Sequence, residues 1–95
     1  MKAFSERILK RMEKGDDLKT YSFRSIGLFY YTKKPYLEEI KNKERLFDTL
    51  HSSQRIFIIF HTETFDRIKK DLNVEIPPID QAKVGHWNYV LISNK

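Results

Sequence analysis

The segment Ile56-Phe57-Ile58-Ile59-Phe60 is the longest unbroken apolar run in this chain of 95 residues. It is far too short to cross a bilayer, and it is shorter than a typical buried helix. An apolar run without alternation is typical of a strand whose two faces are both covered by helices. The segment therefore predicts the central strand of a helix-covered sheet.

The residues after this strand predict a helix, a loop and a hairpin. Phe65, Ile68 and Leu72 recur at helical spacing, and Thr62 precedes them as an N-cap. The dipeptide Pro77-Pro78 then breaks regular structure. The loop is expected over residues 74–80, and the two strands of a closing hairpin over residues 81–85 and 87–93.

The residues before the central strand continue the alternation of helices and strands. Helices are predicted over residues 2–14 and 43–51 and strands over residues 18–23 and 36–40, whereas residues 24–32 fit either a short helix or a bent strand. Strand–helix–strand order implies parallel pairing with right-handed crossovers. We therefore predict one soluble α/β domain over residues 1–95. It is expected to be a three-layer sandwich with a mostly parallel sheet and a C-terminal antiparallel hairpin.

The composition excludes several classes of function. Because the chain has no cysteine, it has no disulfide, zinc–thiolate site or thiol nucleophile. Residues 1–15 lack the apolar stretch of a signal peptide, so export would need a segment that this sequence does not show. The net charge of +5 fits a surface that attracts nucleic acid or anionic lipid, and it fits equally a solvated surface with excess lysine.

Motifs for catalysis and metal binding are missing from the sequence. There is no nucleophile elbow, phosphate-binding glycine loop or dinucleotide fingerprint. His51, His61 and His86 lack the i, i+4 spacing of a helical metal site. We therefore expect no catalytic residue, metal or cofactor in this chain. His61 is the best candidate for ligand binding, because it ends the central strand, where ligands bind in open α/β sheets. The alternative is a polar loop residue without such a role.

The first predicted helix has a cationic side. Arg7, Lys10, Arg11 and Lys14 follow one another at three- and four-residue steps, and apolar residues occupy another side. Such a helix either rests on an anionic membrane surface or packs on a sheet with its charges in water.

A second basic segment, Tyr30-Tyr31-Thr32-Lys33-Lys34-Pro35, mixes aromatic and cationic residues. Aromatic rings stack on bases or sugars, and neighbouring cations hold phosphate. The same rings are equally suited to a protein core. The segment therefore predicts either a recognition surface or part of the core.

Residues 21–35 resemble a segment of certain membrane glycosyltransferases. In the soluble C-terminal domains of those enzymes, a strand is followed by Ser, an apolar residue and an aromatic pair that leads to a Tyr-Thr-Gly-Arg-Pro-like turn. Lys33 stands where this turn usually has glycine. The matching positions are Ser25, Phe29, Tyr31, Thr32, Lys34 and Pro35. The family comprises the dolichyl-phosphate-mannose-protein mannosyltransferases and their aminoarabinose-transferase relatives.

The resemblance implies that this chain is an accessory domain rather than the enzyme. It implies an upstream bundle of transmembrane helices that carries the catalytic carboxylate and moves a sugar from a polyprenyl-phosphate donor to a protein or lipid acceptor. It also places the domain on the extracytoplasmic side of the membrane. The residues expected to face the acceptor or the membrane part are Ser25, Tyr31, Lys33, Lys34 and His61. Those expected to face lipid headgroups are Arg7, Lys10, Arg11 and Lys14.

The expected partners follow from this interpretation. They are the transmembrane part of the parent chain and an anionic lipid or a polyprenyl-phosphate sugar, with no nucleic acid and with a monomer in isolation. The alternative is a small basic binding module for nucleic acid or another polyanion. A stand-alone enzyme is disfavoured because no nucleophile–base motif occurs.

Overall fold

A computed structural model describes residues 2–23, 26–32, 37–73 and 75–95 of the chain. The chain alternates helices and strands before it closes with two consecutive strands, as the sequence predicts. The elements are α1 (Lys2–Arg11), β1 (Asp17–Tyr21), α2 (Ile26–Thr32), β2 (Glu38–Ile40), α3 (Lys43–Leu50), β3 (Ile56–His61), α4 (Thr62–Leu72), β4 (Asp80–Val84) and β5 (Trp87–Ser93).

The five strands form one sheet in the order β2-β1-β3-β5-β4. The prediction that the apolar segment is the central strand is confirmed, because β3 lies between β1 and β5. In β3 the residues before His61 are all buried, which matches an apolar run covered on both faces. β1 pairs in parallel with both β2 and β3.

The prediction of a mostly parallel sheet is wrong. Of the four pairings among the described strands, β3 with β5 and β4 with β5 are antiparallel. The predicted hairpin exists, but its second strand returns beside β3 instead of adding to an outer edge. The cause lies in the side chains of β5, since Val90, Leu91 and Ile92 are buried consecutively, as expected of an inner strand. Alternating burial in β4 suits the sheet edge instead.

Two apolar clusters lie on opposite sides of the sheet, because consecutive strand residues point to opposite faces. On one side, Phe4 and Ile8 of α1 belong to a cluster with Leu18, Leu37, Phe57, Ile59, Tyr89 and Leu91. On the other, Leu46 of α3 and Phe65 and Ile68 of α4 belong to a cluster with Tyr21, Ile40, Ile56, Ile58, Phe60, Val90 and Ile92.

Several predicted element boundaries differ from the structure: β1 ends at Tyr21 instead of Phe23, α3 ends at Leu50 instead of His51, and β4 spans Asp80–Val84 instead of residues 81–85. α1 ends at Arg11, three residues before the predicted end, and a turn with Gly15 in the left-handed region (φ 93°) follows. Thr62 is the first residue of α4 rather than its N-cap, because pairing with Tyr89 extends β3 to His61, which takes the N-cap position. Residues 26–32 form the short helix α2, which decides between the two alternatives for that part of the segment.

Asn94, just after β5, connects the end of the sheet to the turn before β3. Its Oδ1 accepts a hydrogen bond from the Ile56 amide at 2.8 Å, and its own amide donates to the Ile56 carbonyl at 3.2 Å. Its Nδ2 donates to the carbonyls of Gln54, Thr49 and Ser52, at 2.9, 3.1 and 3.4 Å. One side chain therefore satisfies four backbone groups between the end of α3 and the start of β3.

Candidate functional site

The carboxyl-terminal ends of β1, β2 and β3 lie at one edge of the sheet, which we call the carboxyl edge. β5 runs antiparallel to β3 and begins at the same edge, so the hairpin turn at Gly85-His86 belongs to it as well. α1 also begins here, because the ring of Phe4 lies 6.2 Å from that of Tyr89, the residue paired with His61.

Four aromatic side chains meet at the carboxyl edge, and we call them the His61 cluster: Phe23, His61, Trp87 and Tyr89. The His61 ring centroid lies 4.4 Å from that of Phe23, 4.6 Å from that of Trp87 and 5.0 Å from that of Tyr89. Trp87 and Tyr89 are two residues apart on β5, so they point to the same face as His61. The cluster is a surface of tilted rings in mutual contact.

A tight turn after β1 brings Phe23 to this cluster. Ser22 adopts a left-handed conformation with φ 60°, and its amide donates to the Ile40 carbonyl of the neighbouring strand at 2.9 Å. The hydroxyl of Thr20 donates to the Phe23 carbonyl at 2.8 Å. Because non-glycine residues seldom adopt this conformation, these hydrogen bonds are needed to hold the turn.

His61 is half-buried, and its electrostatic state follows from that burial. Burial lowers its pKa below the ordinary value, against a weaker opposing effect of Glu63. Its Nδ1 atom is shielded from solvent and has no hydrogen-bond partner among the described residues. No carboxylate among the described residues forms a hydrogen bond with the imidazole, so none of them orients it for proton transfer. The arrangement suits contact with an apolar or aromatic partner better than acid–base chemistry.

The lowered pKa of His61 predicts a pH-dependent stability. The folded protein binds this proton less readily than the unfolded chain. The contribution of His61 to the free energy of unfolding is therefore fully present above the unfolded-state pKa of about 6.5, and it is lost as the pH falls towards the folded-state pKa. His61→Phe is expected to remove this decline. Urea unfolding at about pH 7.5 and about pH 5 measures the difference. The carboxylates with a lowered pKa, Asp16, Glu38 and Asp80, lose their stabilising effect mainly at more acid pH, and they are the same in both proteins. Equal pH dependence in the two proteins would contradict the conclusion that the lowered pKa of His61 causes the decline in stability.

The aromatic–basic segment is described only in part. Tyr31 is half-buried in α2, and its ring meets that of Tyr30 edge-on at 5.0 Å. Tyr30 is 73% exposed. The predicted site residues Ser25, Lys33 and Lys34 lie outside the described residues. Within the described part of the chain, no ring contact joins Tyr31 to the His61 cluster.

The cationic side of α1 divides into two parts. Arg7 forms an ion pair with Asp80 of β4, with its Nε 2.8 Å from the carboxylate, and this hydrogen bond lowers the pKa of Asp80. Arg11 donates to the Ile79 carbonyl at 3.3 Å. Both arginines therefore hold α1 against the hairpin. Lys10 and Lys14 are exposed, and neither forms an ion pair with another described residue.

An open groove of about 860 Å³ lies between α4 and the segment that leads to β4. Its charged lining has both signs, with Lys69 and Lys70 near Asp66 and Glu75. None of the site residues predicted from the sequence lines it. Because the charges are mixed, the groove favours neither an anionic nor a cationic ligand. We therefore do not include it in the candidate site.

The described residues contain no group of three or more His, Asp and Glu side chains that could hold a metal ion. Of the helices in the described ranges, none has the length and hydrophobicity that a membrane crossing requires. Comparison with known protein families, curated proteins and solved structures finds no match for this chain.

Three members of the His61 cluster were not predicted from the sequence as site residues. The sequence predicts Trp87 and Tyr89 as residues of one strand and Phe23 as the end of another, and it predicts none of the three as a binding residue. The sequence does indicate that Trp87 and Tyr89 lie side by side, because residues at alternate positions of one strand share a face. Their contact with His61 depends on β5 pairing with β3, which the sequence analysis did not predict.

Proposed function

We propose that this chain is the accessory C-terminal extramembrane domain of a membrane glycosyltransferase that moves a sugar from a polyprenyl-phosphate donor to a protein or lipid acceptor. The observation that carries the proposal is the order of residues in the segment 21–35. In the structure this segment begins at the end of β1 and includes α2, where the rings of Tyr30 and of Tyr31, the first residue of the matched turn, lie edge-on as a pair. The exposure of Tyr30 supports a role for that pair in contact outside the domain.

The proposal divides the reaction between two parts of a longer protein. The reacting carboxylate belongs to the membrane part, and this domain supplies contact surfaces on the extracytoplasmic side. The three-layer arrangement is part of the same proposal. It is supported by the two apolar clusters, one shared with α1 and the other with α3 and α4.

The proposal predicts that the chain occurs in cells as part of a larger membrane protein. An antibody raised against residues 1–95 is expected to detect, in the membrane fraction, a species much larger than 11.5 kDa. That species, immunopurified in detergent, is expected to transfer labelled sugar from a polyprenyl-phosphate donor. The isolated 95-residue chain serves as the control and is expected to transfer none.

Two outcomes of this experiment would overturn the proposal. One is an 11.5 kDa species in the soluble fraction, with no larger form in the membranes. The other is a larger membrane protein that transfers no sugar from any polyprenyl-phosphate donor.

The polyanion-binding alternative has its own measurement. A nucleic-acid-binding module loses affinity linearly with the logarithm of salt concentration, because bound cations are released from the phosphates. Our proposal expects no salt-dependent binding of DNA or RNA by the purified chain. Such binding, together with the absence of a larger membrane form, would favour the alternative.

A further inference from the structure

We propose that the carboxyl edge rests on the headgroup region of an anionic lipid membrane, with Trp87 inserted as its anchor. This inference rests on the proposed function, which places the domain beside a membrane. It assigns the lipid contact to the end of the sheet instead of to the cationic side of α1. The surface consists of the His61 cluster, the hairpin turn and the exposed lysines at the carboxyl edge, Lys2, Lys41 and Lys83.

Trp87 is the residue that points to a membrane interface. It is 59% exposed, although one side of its ring packs on His61 at 4.6 Å. Its position is fixed by pairing with Val84 next to the hairpin turn. A tryptophan ring with an apolar body and a polar N–H is favoured at the level of lipid headgroups. Exposing such a ring to water has no evident benefit for folding.

Exposed charges at the same end of the sheet as Trp87 complement an anionic surface. Lys2 begins α1, Lys41 follows β2 and Lys83 lies in β4 one residue before the end of that strand, and all three are exposed. Glu63, in the first turn of α4, is the opposing charge next to His61. In the first turn of α3, Lys43 is already paired with Asp71 at 2.7 Å, so Glu44 is a second opposing charge. The edge therefore carries a positive excess that attracts anionic lipids.

The cationic side of α1 is less suited to this contact. Its two arginines already donate to Asp80 and to the Ile79 carbonyl. Lys10 lies about 9 Å along the helix from Phe4, which marks the carboxyl edge, and Lys14 lies beyond the end of α1. A separation of about 9 Å is comparable with the Debye length of about 8 Å at physiological salt. Charges there therefore contribute little to attraction at the edge.

The test uses the fluorescence of the whole chain, because Trp87 is its one tryptophan. Vesicles of phosphatidylglycerol and phosphatidylcholine are expected to shift the Trp87 emission to shorter wavelength, whereas phosphatidylcholine alone is expected to leave it unchanged. Brominated lipids are expected to quench the emission. Lys41→Glu with Lys83→Glu should weaken binding to the anionic vesicles about ten-fold or more, because each basic residue near the surface adds to the attraction.

The matched control carries the same charge change on α1. Lys10→Glu with Lys14→Glu is expected to alter vesicle binding by less than about three-fold, since these lysines lie about one Debye length or more from the edge. Circular dichroism and thermal unfolding check that each variant folds. Trp87→Ala, followed by vesicle co-sedimentation, is expected to weaken binding in a folded protein.

Several results would overturn the inference. One is an emission spectrum that no vesicle changes. Another is binding that the α1 pair of substitutions abolishes and the edge pair leaves intact, which would return the lipid contact to α1. If the parent protein transfers sugar but Trp87 does not respond to lipid, the lipid inference alone fails and the edge is assigned to contact with the membrane-spanning protein. If Trp87 inserts but no larger membrane protein exists, only the proposed function fails.

Discussion

Phe60→Ala is expected to lower the free energy of unfolding by about 3–5 kcal/mol, the range for removing a fully buried phenylalanine ring. Phe60 is 1% exposed, one residue before the end of β3. Its ring lies 5.1 Å from that of Tyr21 and 5.4 Å from that of Phe65, so it joins the sheet to α4. A cavity there removes contacts from three elements at once. For a domain of this size, such a loss is a large share of the total stability.

The matched control is Phe47→Ala, which removes the same ring from a surface position. Phe47 is 51% exposed on α3, although its ring contacts that of His51 at 4.2 Å. Its truncation is expected to cost less than about 1 kcal/mol. Urea unfolding followed by circular dichroism measures both variants. Equal losses would contradict the burial that the structure assigns to β3.

Asn94→Asp is expected to destabilise the fold by about 3 kcal/mol at pH 7, because the half-buried side chain loses the amide that donates to three carbonyls and a charge is introduced in its place. The Asn94 Nδ2 donates to three carbonyl oxygens, and a carboxylate oxygen in its place would repel all of them. Only the hydrogen bond from the Ile56 amide would remain for the other oxygen.

Lowering the pH is expected to restore part of the stability that Asn94→Asp removes. Such a recovery would identify the introduced negative charge as the cause of the destabilisation. The carbonyl oxygens raise the pKa of the introduced carboxyl in the folded state, so the destabilisation is complete at high pH and is reduced as the pH falls through that raised pKa. Urea unfolding at pH 7 and at about pH 5 is the measurement. Asn88→Asp, at an exposed position of β5, is the control and is expected to cost less than about 1 kcal/mol. A loss at position 94 that is no larger than at position 88 would contradict this role.

The central strand was predictable because its signal is local. An apolar run that does not alternate requires cover on both faces, and β3 has that cover. Helices α3 and α4 were predictable for the same reason, since their apolar stripes repeat at helical spacing. Each of these inferences needs only neighbouring residues.

The mixed sheet was not predicted because strand order depends on contacts between distant segments. A hairpin signal at Gly85-His86 defines two antiparallel strands, but it does not state which of them lies against β3. The polarity of the side chains in the two strands does distinguish the inner strand from the edge strand. Residues 90–92 are apolar without alternation, whereas Asp80, Gln81 and Lys83 place polar groups in β4. An unalternated strand belongs inside the sheet, and a polar one belongs at its edge.

The candidate site was predictable only at one position. The place of His61 followed from the end of β3, but its contacts with Trp87 and Tyr89 follow from the unpredicted pairing of β5. The role of Asn94 could not be derived from the sequence either, because its partners come from a turn 40 residues away. Polar side chains that bind distant backbone groups leave no periodic pattern.

The position of β5 also determines the order in which the nascent chain can fold. β1, β2 and β3 are synthesised early, yet one hydrogen-bonding edge of β3 remains open until residues 87–93 have left the ribosome. An open edge on an apolar strand readily pairs with other chains. The interval between translation of β3 and translation of β5 is therefore when this protein most needs chaperones, and premature termination in that interval would yield an aggregation-prone product.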